Sequence, residues 1–234
     1  MVRIPIWIKC LLCALTLFCG INAGCEQSPK PPHPATSRSE PDLSQTEHVI
    51  VAFGDSLTAG LGVALHEAYP AQLEARLHAK GYSYRVVNAG VSGDTTAGGI
   101  RRLDWIIKTN PEIVILELGA NDGLRGIPLN EVRTNLSQMI QSLQDKGILV
   151  VLAGMKLPPN YGPVYAVGFS NLFKKLAKEY DIPLIPFFLE GVAARPELNQ
   201  DDGLHPTAAG YSRVVDNILP LLLPLLTAKP AFNL

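Results

Sequence analysis

Short apolar runs alternate along the chain with longer segments whose apolar residues recur every three or four positions. The short runs predict buried strands and the longer segments amphipathic helices. Residues 48–53 are the first predicted strand. Tyr69, Leu73 and Leu77 then fall four apart, one face of a helix that ends near Gly81. Residues 84–87 predict the second strand, and Ile100, Leu103, Ile106 and Ile107 the next helical face, stopped by Pro111. Residues 113–118 are apolar almost throughout, as a strand buried on both faces must be. Val132, Leu136, Met139, Ile140 and Leu143 line a long helix that closes at Gly147. A fourth strand over 148–152, a helix marked by Leu172, Phe173, Leu176 and Tyr180, a short fifth strand over 183–188 and a helix carrying Val214, Val215 and Ile218 complete the series.

Strands that alternate with helices predict a parallel sheet covered on both faces, an α/β fold of three layers (α/β/α) around a five-stranded parallel sheet. No internal repeat is present, and residues 48–234 read as one domain. The apolar end, residues 218–226, contains Pro220 and Pro224 and reads as a packed terminus.

The N-terminal pattern is of another kind. Arg3 and Lys9 precede an apolar run over 10–21, followed by Ala23, Gly24 and Cys25. A basic start, a short apolar core and a small-residue exit predict a secretory signal peptide over 1–24, too short for a comfortable membrane span. Ala23-Gly24-Cys25 resembles the end of a bacterial lipobox, with Asn22 where that motif usually has Leu. Cys25 is thus a candidate lipidation site, and a periplasmic, lipid-anchored protein is expected; cleavage after Ala23 with release is the alternative. Residues 25–47 carry Pro29, Pro31, Pro32, Pro34 and Pro41 among Ser, Thr and charges, and predict an extended tether. All four cysteines, at 10, 13, 19 and 25, fall in or beside the signal, so the body holds no disulfide, thiolate nucleophile or Cys-based zinc site. With a net charge of −1 and no basic patch, nucleic acid is not an expected partner.

The polar, glycine-containing stretches follow strands. Ser56 comes after the first, Gly93 after the second, Asn121 after the third, and Asp202 with His205 after the fifth. Each alone is equally well a turn. In a parallel sheet the carboxyl ends share one edge, where such sheets bind ligands, and that common placement is poorly explained by unrelated turns. The residue types suit nucleophilic catalysis. A serine hydroxyl needs a base to take its proton, and His205 stands in the one suitable motif among the five histidines. Asp202, three residues earlier, can orient the imidazole and steady its charge. Pro206 biases His205 away from helical geometry. The backbone N–H groups of Ser56 and Gly93 and the side-chain amide of Asn121 are candidate oxyanion donors.

Gly54-Asp55-Ser56-Leu57, Ser92-Gly93-Asp94-Thr95, Gly119-Ala120-Asn121-Asp122 and Asp202-Gly203-Leu204-His205-Pro206 resemble, in order, the four blocks of the SGNH/GDSL hydrolase family. The resemblance runs from about His48 to about Asn217. Residues 121–126, 157–162 and 183–188 bring it close to the bacterial thioesterase I / lysophospholipase L1 (arylesterase) branch, with Ala120 in place of a glycine common there. It implies a flavodoxin-like sandwich, Ser56 as nucleophile, His205 as general base, Asp202 rather than Asp201 as its partner, and Ser56, Gly93 and Asn121 as the oxyanion hole. No metal motif appears in the sequence, and no cofactor is expected.

Rival motifs fall short. Thr58 stands where a Gly-x-Ser-x-Gly nucleophile elbow needs its second glycine, and no Gly-x-x-x-x-Gly-Lys phosphate loop occurs. An inactive binding module of the same fold would typically have lost Ser56, Asn121 or His205. Leu124, Ile127, Leu157, Tyr161 and Tyr165 are candidates for an apolar acyl groove, or else simply cover the sheet. A small-molecule acyl ester, thioester or lysophospholipid substrate is expected. O-acetyl groups on envelope sugars are the alternative.

Overall fold

A computed structural model describes residues 48–227; the predicted signal peptide, the tether and Cys25 lie outside them. The first strand, β1 (His48–Gly54), is buried from Val49 onward, which is why its sequence is an unbroken apolar, β-branched run. β2 (Tyr84–Gly90), β3 (Ile113–Glu117), β4 (Leu149–Ala153) and β5 (Leu184–Ile185) join it in one five-stranded sheet of order β2-β1-β3-β4-β5. All four pairings are parallel.

The helices are α1 (Ser56–Ala59), α2 (Tyr69–Ala79), α3 (Thr96–Lys108), α4 (Ala120–Leu124), α5 (Leu129–Gln144), α6 (Pro163–Glu179) and α7 (Ala208–Leu222). α2 packs against α7, while α3 packs on α5 and α5 on α6, giving the layers above and below the sheet. Leu73 and Leu77 of α2, Leu136 and Met139 of α5, Phe169 and Phe173 of α6 and Val214 of α7 are all buried, so the helical faces read from periodicity are the packed faces. Among the described residues no helix is long and apolar enough to cross a membrane.

The order of strands decides where a site can form. From β1 the chain moves to one side to make β2, then returns across β1 to make β3 on the other side. Crossovers leaving β1 and β3 therefore part at their carboxyl ends and open a crevice between them. Ser56 follows β1 and Asn121 follows β3, so the two candidates flank that crevice.

Several elements differ from expectation. β2 runs on to Gly90 because each residue up to that point finds a partner on β1, Gly54 facing Gly90. The strand predicted over 183–188 shrinks to Leu184–Ile185, since Pro183 and Pro186 cannot donate to a ladder. Two segments that sequence reads equally well as turns are short helices, α1 and α4, and α6 begins early enough to include Tyr165. At the opposite, amino end of the sheet, Glu112 accepts hydrogen bonds from Tyr84 (2.8 Å) and Thr227 (2.6 Å), and His48 lies 2.7 Å from its other oxygen. One carboxylate thus holds both ends of the described body.

Candidate active site

Asp55 follows β1 and caps α1, its Oδ1 accepting from the N–H of Leu57 at 3.0 Å. Ser56 is the first helical residue, so its own N–H has no acceptor within the helix and faces outward. The same tight turn lifts its hydroxyl toward the crevice. Ser56 Oγ lies 2.8 Å from His205 Nε2, although 149 residues separate them. His205 Nδ1 lies 2.6 Å from Asp202 Oδ2. A carboxylate can only accept, so the imidazole must donate from Nδ1. Nε2 is then left as the acceptor for the serine proton.

The loop that carries His205 is well supported. Asp202 Oδ1 accepts from the N–H groups of Leu204 (2.8 Å) and His205 (3.0 Å). The His205 N–H bond first, the imidazole second and the Leu204 N–H bond third hold the Asp202 carboxyl down at about 2. It stays ionised wherever an imidazole works as a base. Gln200 donates to Leu61 O (2.7 Å) and Pro206 O (3.0 Å), tying this loop to the segment after Ser56. Asn199 donates to Val192 O (2.6 Å) and Arg195 O (2.8 Å) from beneath.

Across the crevice, Gly119 turns the chain out of β3 at φ +116°, a conformation side chains rarely adopt, and starts α4. Asn121 sits in the first turn of α4 and donates from Nδ2 to Asp55 Oδ2 at 2.9 Å. The amide has a second Nδ2 proton. α4 is fastened by Asp122, which accepts from Thr96 N–H (2.9 Å) and Thr96 Oγ1 (2.6 Å). Gly93 lies on the exposed turn after β2, where its carbonyl accepts from Arg125 Nη2 at 2.9 Å. Arg102 ties this side to the nucleophile turn, donating to Asp94 Oδ2 (2.7 Å), Ala89 O (2.6 Å) and Gly54 O (2.7 Å).

Ser56, Asn121 and His205 share the wall of a cleft of about 460 Å³ whose other walls include Leu124, Met155, Leu157 and Phe187. Leu124 and Leu157 of the proposed acyl groove therefore line it. Ile127, Tyr161 and Tyr165 do not. Tyr161 donates to Leu124 O (3.1 Å) and Tyr165 to Ile127 O (2.7 Å), so these tyrosines latch the start of α6 and the turn before it to the end of α4 and the turn after it. Periodicity within a loop carries no information about which side faces a cleft. Met155 and Phe187, which do line it, lie just past β4 and β5, and the strand-end rule could have found them.

Sequence patterning gives Asp55 and Glu117 no role of their own, yet both are buried beside the nucleophile turn. Burial pushes the Asp55 carboxyl up to about 6, even though the Leu57 amide and Asn121 oppose the shift. Glu117, fully buried at the end of β3, is pushed well above the ordinary carboxyl range by burial first and by the Asp55 charge second.

Residues 52–213 match the GDSL-like Lipase/Acylhydrolase family. Esterase TesA of Pseudomonas aeruginosa is 44% identical over 178 residues, which cover 76% of this chain and 89% of that protein. Thioesterase 1/protease 1/lysophospholipase L1 of Escherichia coli is 40% identical over 177 residues, covering 75% of this chain and 84% of its own length. Among solved structures, the crystal structure of TesA has a TM-score of 0.74 at 43% identity and covers 76% of this chain and all of that one (100%).

Proposed function

The chain belongs to the GDSL-like Lipase/Acylhydrolase family and is a serine esterase of this type, and from that premise we propose that Ser56 is the nucleophile, His205 the general base and Asp202 its partner. The observation that carries this reading is the unbroken line Asp202 Oδ2–His205 Nδ1 (2.6 Å) and His205 Nε2–Ser56 Oγ (2.8 Å). Ser56 Oγ attacks the acyl carbon as its proton passes to His205 Nε2. The carbonyl oxygen becomes an oxyanion, received by the N–H groups of Ser56 and Gly93 and by the second Nδ2 proton of Asn121. Collapse of this intermediate expels the alcohol or thiol, which takes the proton back from His205. Water then repeats the sequence on the acyl-serine and restores the hydroxyl.

The acyl chain is proposed to lie along Leu124, Leu157, Met155 and Phe187, and the substrates to be esters or thioesters of medium to long acyl chains, lysophospholipids among them. Each methylene buried in an apolar wall is worth about 0.8 kcal/mol, roughly a factor of four. A panel of p-nitrophenyl esters from acetyl to palmitoyl tests this. The expected result is kcat/KM rising at least ~10-fold from acetyl to the best chain. A preference for acetyl with longer chains excluded would overturn it in favour of an O-acetyl esterase.

We further propose export and lipid anchoring through Cys25. The support is the sequence alone: the basic start, apolar core and Ala23-Gly24-Cys25 exit, with a proline-rich tether after it. Cys25→Ser is expected to move the esterase from the membrane pellet to the soluble fraction. An unchanged pellet fraction would sink the anchor.

A further inference from the structure

Directly beneath the nucleophile turn lie two buried carboxyl groups that the reaction above does not use. Glu117 is 0% exposed and Asp55 1%. Glu117 Oε2 accepts from the N–H of Asp55 (3.3 Å) and from Thr58 Oγ1 (2.7 Å), so it grips the residue before Ser56 and a residue after it. Its other oxygen, Oε1, is buried with no hydrogen-bond partner. The chain makes room for this carboxyl: a side chain on Gly54 would stand 2.4 Å from Glu117 Oε2 and 2.0 Å from Thr58 Oγ1.

Two carboxylates side by side in an apolar interior cannot both ionise. The hydrogen bonds decide which one keeps the proton. Both Asp55 oxygens are occupied as acceptors, Oδ1 by Leu57 N–H and Oδ2 by Asn121 Nδ2. A proton on Glu117 Oε1, which accepts no hydrogen bond, gives up none, whereas neutralising Asp55 weakens the two bonds its oxygens accept.

We propose that Glu117 is a positioning residue that holds the single proton of this pair, so that Asp55 remains a pure acceptor and fixes the Asn121 amide with N–H, not oxygen, toward Asp55 and the oxyanion. The inference rests on the oxyanion role given to Asn121. An amide can present either its oxygen or its nitrogen to a neighbour. Against a carboxylate only the nitrogen works. Against a protonated Asp55 the amide could turn over and aim its oxygen at the developing negative charge.

The surroundings agree with one negative charge. Thr58 faces Glu117 from α1. Tyr69 from α2 and Tyr211 from α7 also face it, both with hydroxyls driven upward above all by burial, hence neutral. On Asp55 the His205 charge pulls down and the Asp94 charge pushes up. Arg102 donates to the carbonyl of Gly54 next to it, at 2.7 Å.

Substitutions at both carboxyls test the proposal. In Asp55→Asn the new amide donates where Oδ2 accepted, so Asn121 must turn its oxygen to it. We expect kcat on a p-nitrophenyl ester to fall about 10²–10³-fold, the scale of losing one oxyanion donor, with KM little changed. The same variant should be the more stable protein at neutral pH. The Asp55 pKa in the fold, about 6, lies above its ordinary value of 3.8, so the un-ionised group's contribution is complete below that ordinary value and lost as pH rises through about 6. Asp55→Asn should therefore raise Tm at pH 8, and the gain should fade toward pH 4. Glu117→Leu is expected to lower kcat about tenfold or more, and Glu117→Gln, which keeps the acceptor and imitates the protonated acid, to recover most of it.

Infrared difference spectra of wild type minus Glu117→Gln at pH 8 supply a readout independent of turnover: the carbonyl stretch of an un-ionised carboxylic acid should appear. Absence of that band, or a kcat in Asp55→Asn within threefold of wild type, would overturn the proposal. Should Glu117→Leu fail to fold, the glutamine variant and the infrared band still decide it. An Asn121→Ala enzyme with normal kcat would remove the oxyanion role alone, and the band would then stand by itself.

Discussion

Ser56→Ala is expected to lower kcat for ester hydrolysis by about 10⁴–10⁶-fold, the scale seen when a triad serine is removed. The alanine enzyme keeps the oxyanion donors and the cleft, so a residual rate above that of water is expected. It should also fold normally. The hydroxyl is hydrogen bonded to His205 across the crevice, and the turn around it is held by Asp55, Thr58 and Glu117 through other atoms. Steady-state rates on a p-nitrophenyl ester, read beside a thermal unfolding curve, check both halves. A variant with unchanged Tm and a rate within tenfold of wild type would end the serine mechanism.

Asn121→Ala is expected to cost about 10²–10³-fold in kcat, or roughly 2.7–4 kcal/mol of transition-state stabilisation, with a small change in KM. The split between the two constants matters. A donor that meets charge only in the transition state shows itself in kcat, whereas a residue that merely shapes the cleft shows itself in KM. The substitution also removes a hydrogen bond from buried Asp55. The Asp55 carboxyl should rise further from its ordinary range, because that bond is one of the influences holding it down. A Tm that falls slightly at pH 8 and recovers as pH is lowered is the expected mark of this. An unchanged kcat would strike Asn121 from the oxyanion hole.

The parts of this protein that sequence made legible are those governed by periodicity and by spacing. A parallel sheet buried on both faces demands continuous apolar strands, and β1 and β3 announce themselves that way. Residues at strand ends converge because the sheet forces them to, so Ser56, Asn121 and His205 could be brought together on paper. Depth was not legible. Glu117 reads as a residue near the end of a strand, where a charge would ordinarily reach solvent, yet it is 0% exposed beneath Thr58 of α1, Tyr69 of α2 and Tyr211 of α7. Direction within loops was hidden for a similar reason. Leu157 and Tyr161 lie four positions apart, and one lines the cleft while the other is turned to the last carbonyl of α4. Only the packed neighbours decide such choices. Short helices such as α1 and α4 escaped as well, since four or five residues carry no period.

His48 and Thr227 touch the same carboxylate, that of Glu112, at the edge of the sheet from which the strands set out. β1 rises seven residues from there before it delivers Ser56, roughly 23 Å at 3.3 Å per residue. Both ends of the described body therefore lie at the rim of the sheet opposite the one that carries the cleft. The gap between those two ends is also narrow enough to be bridged by a short splice, leaving the strand order free to be cut open elsewhere.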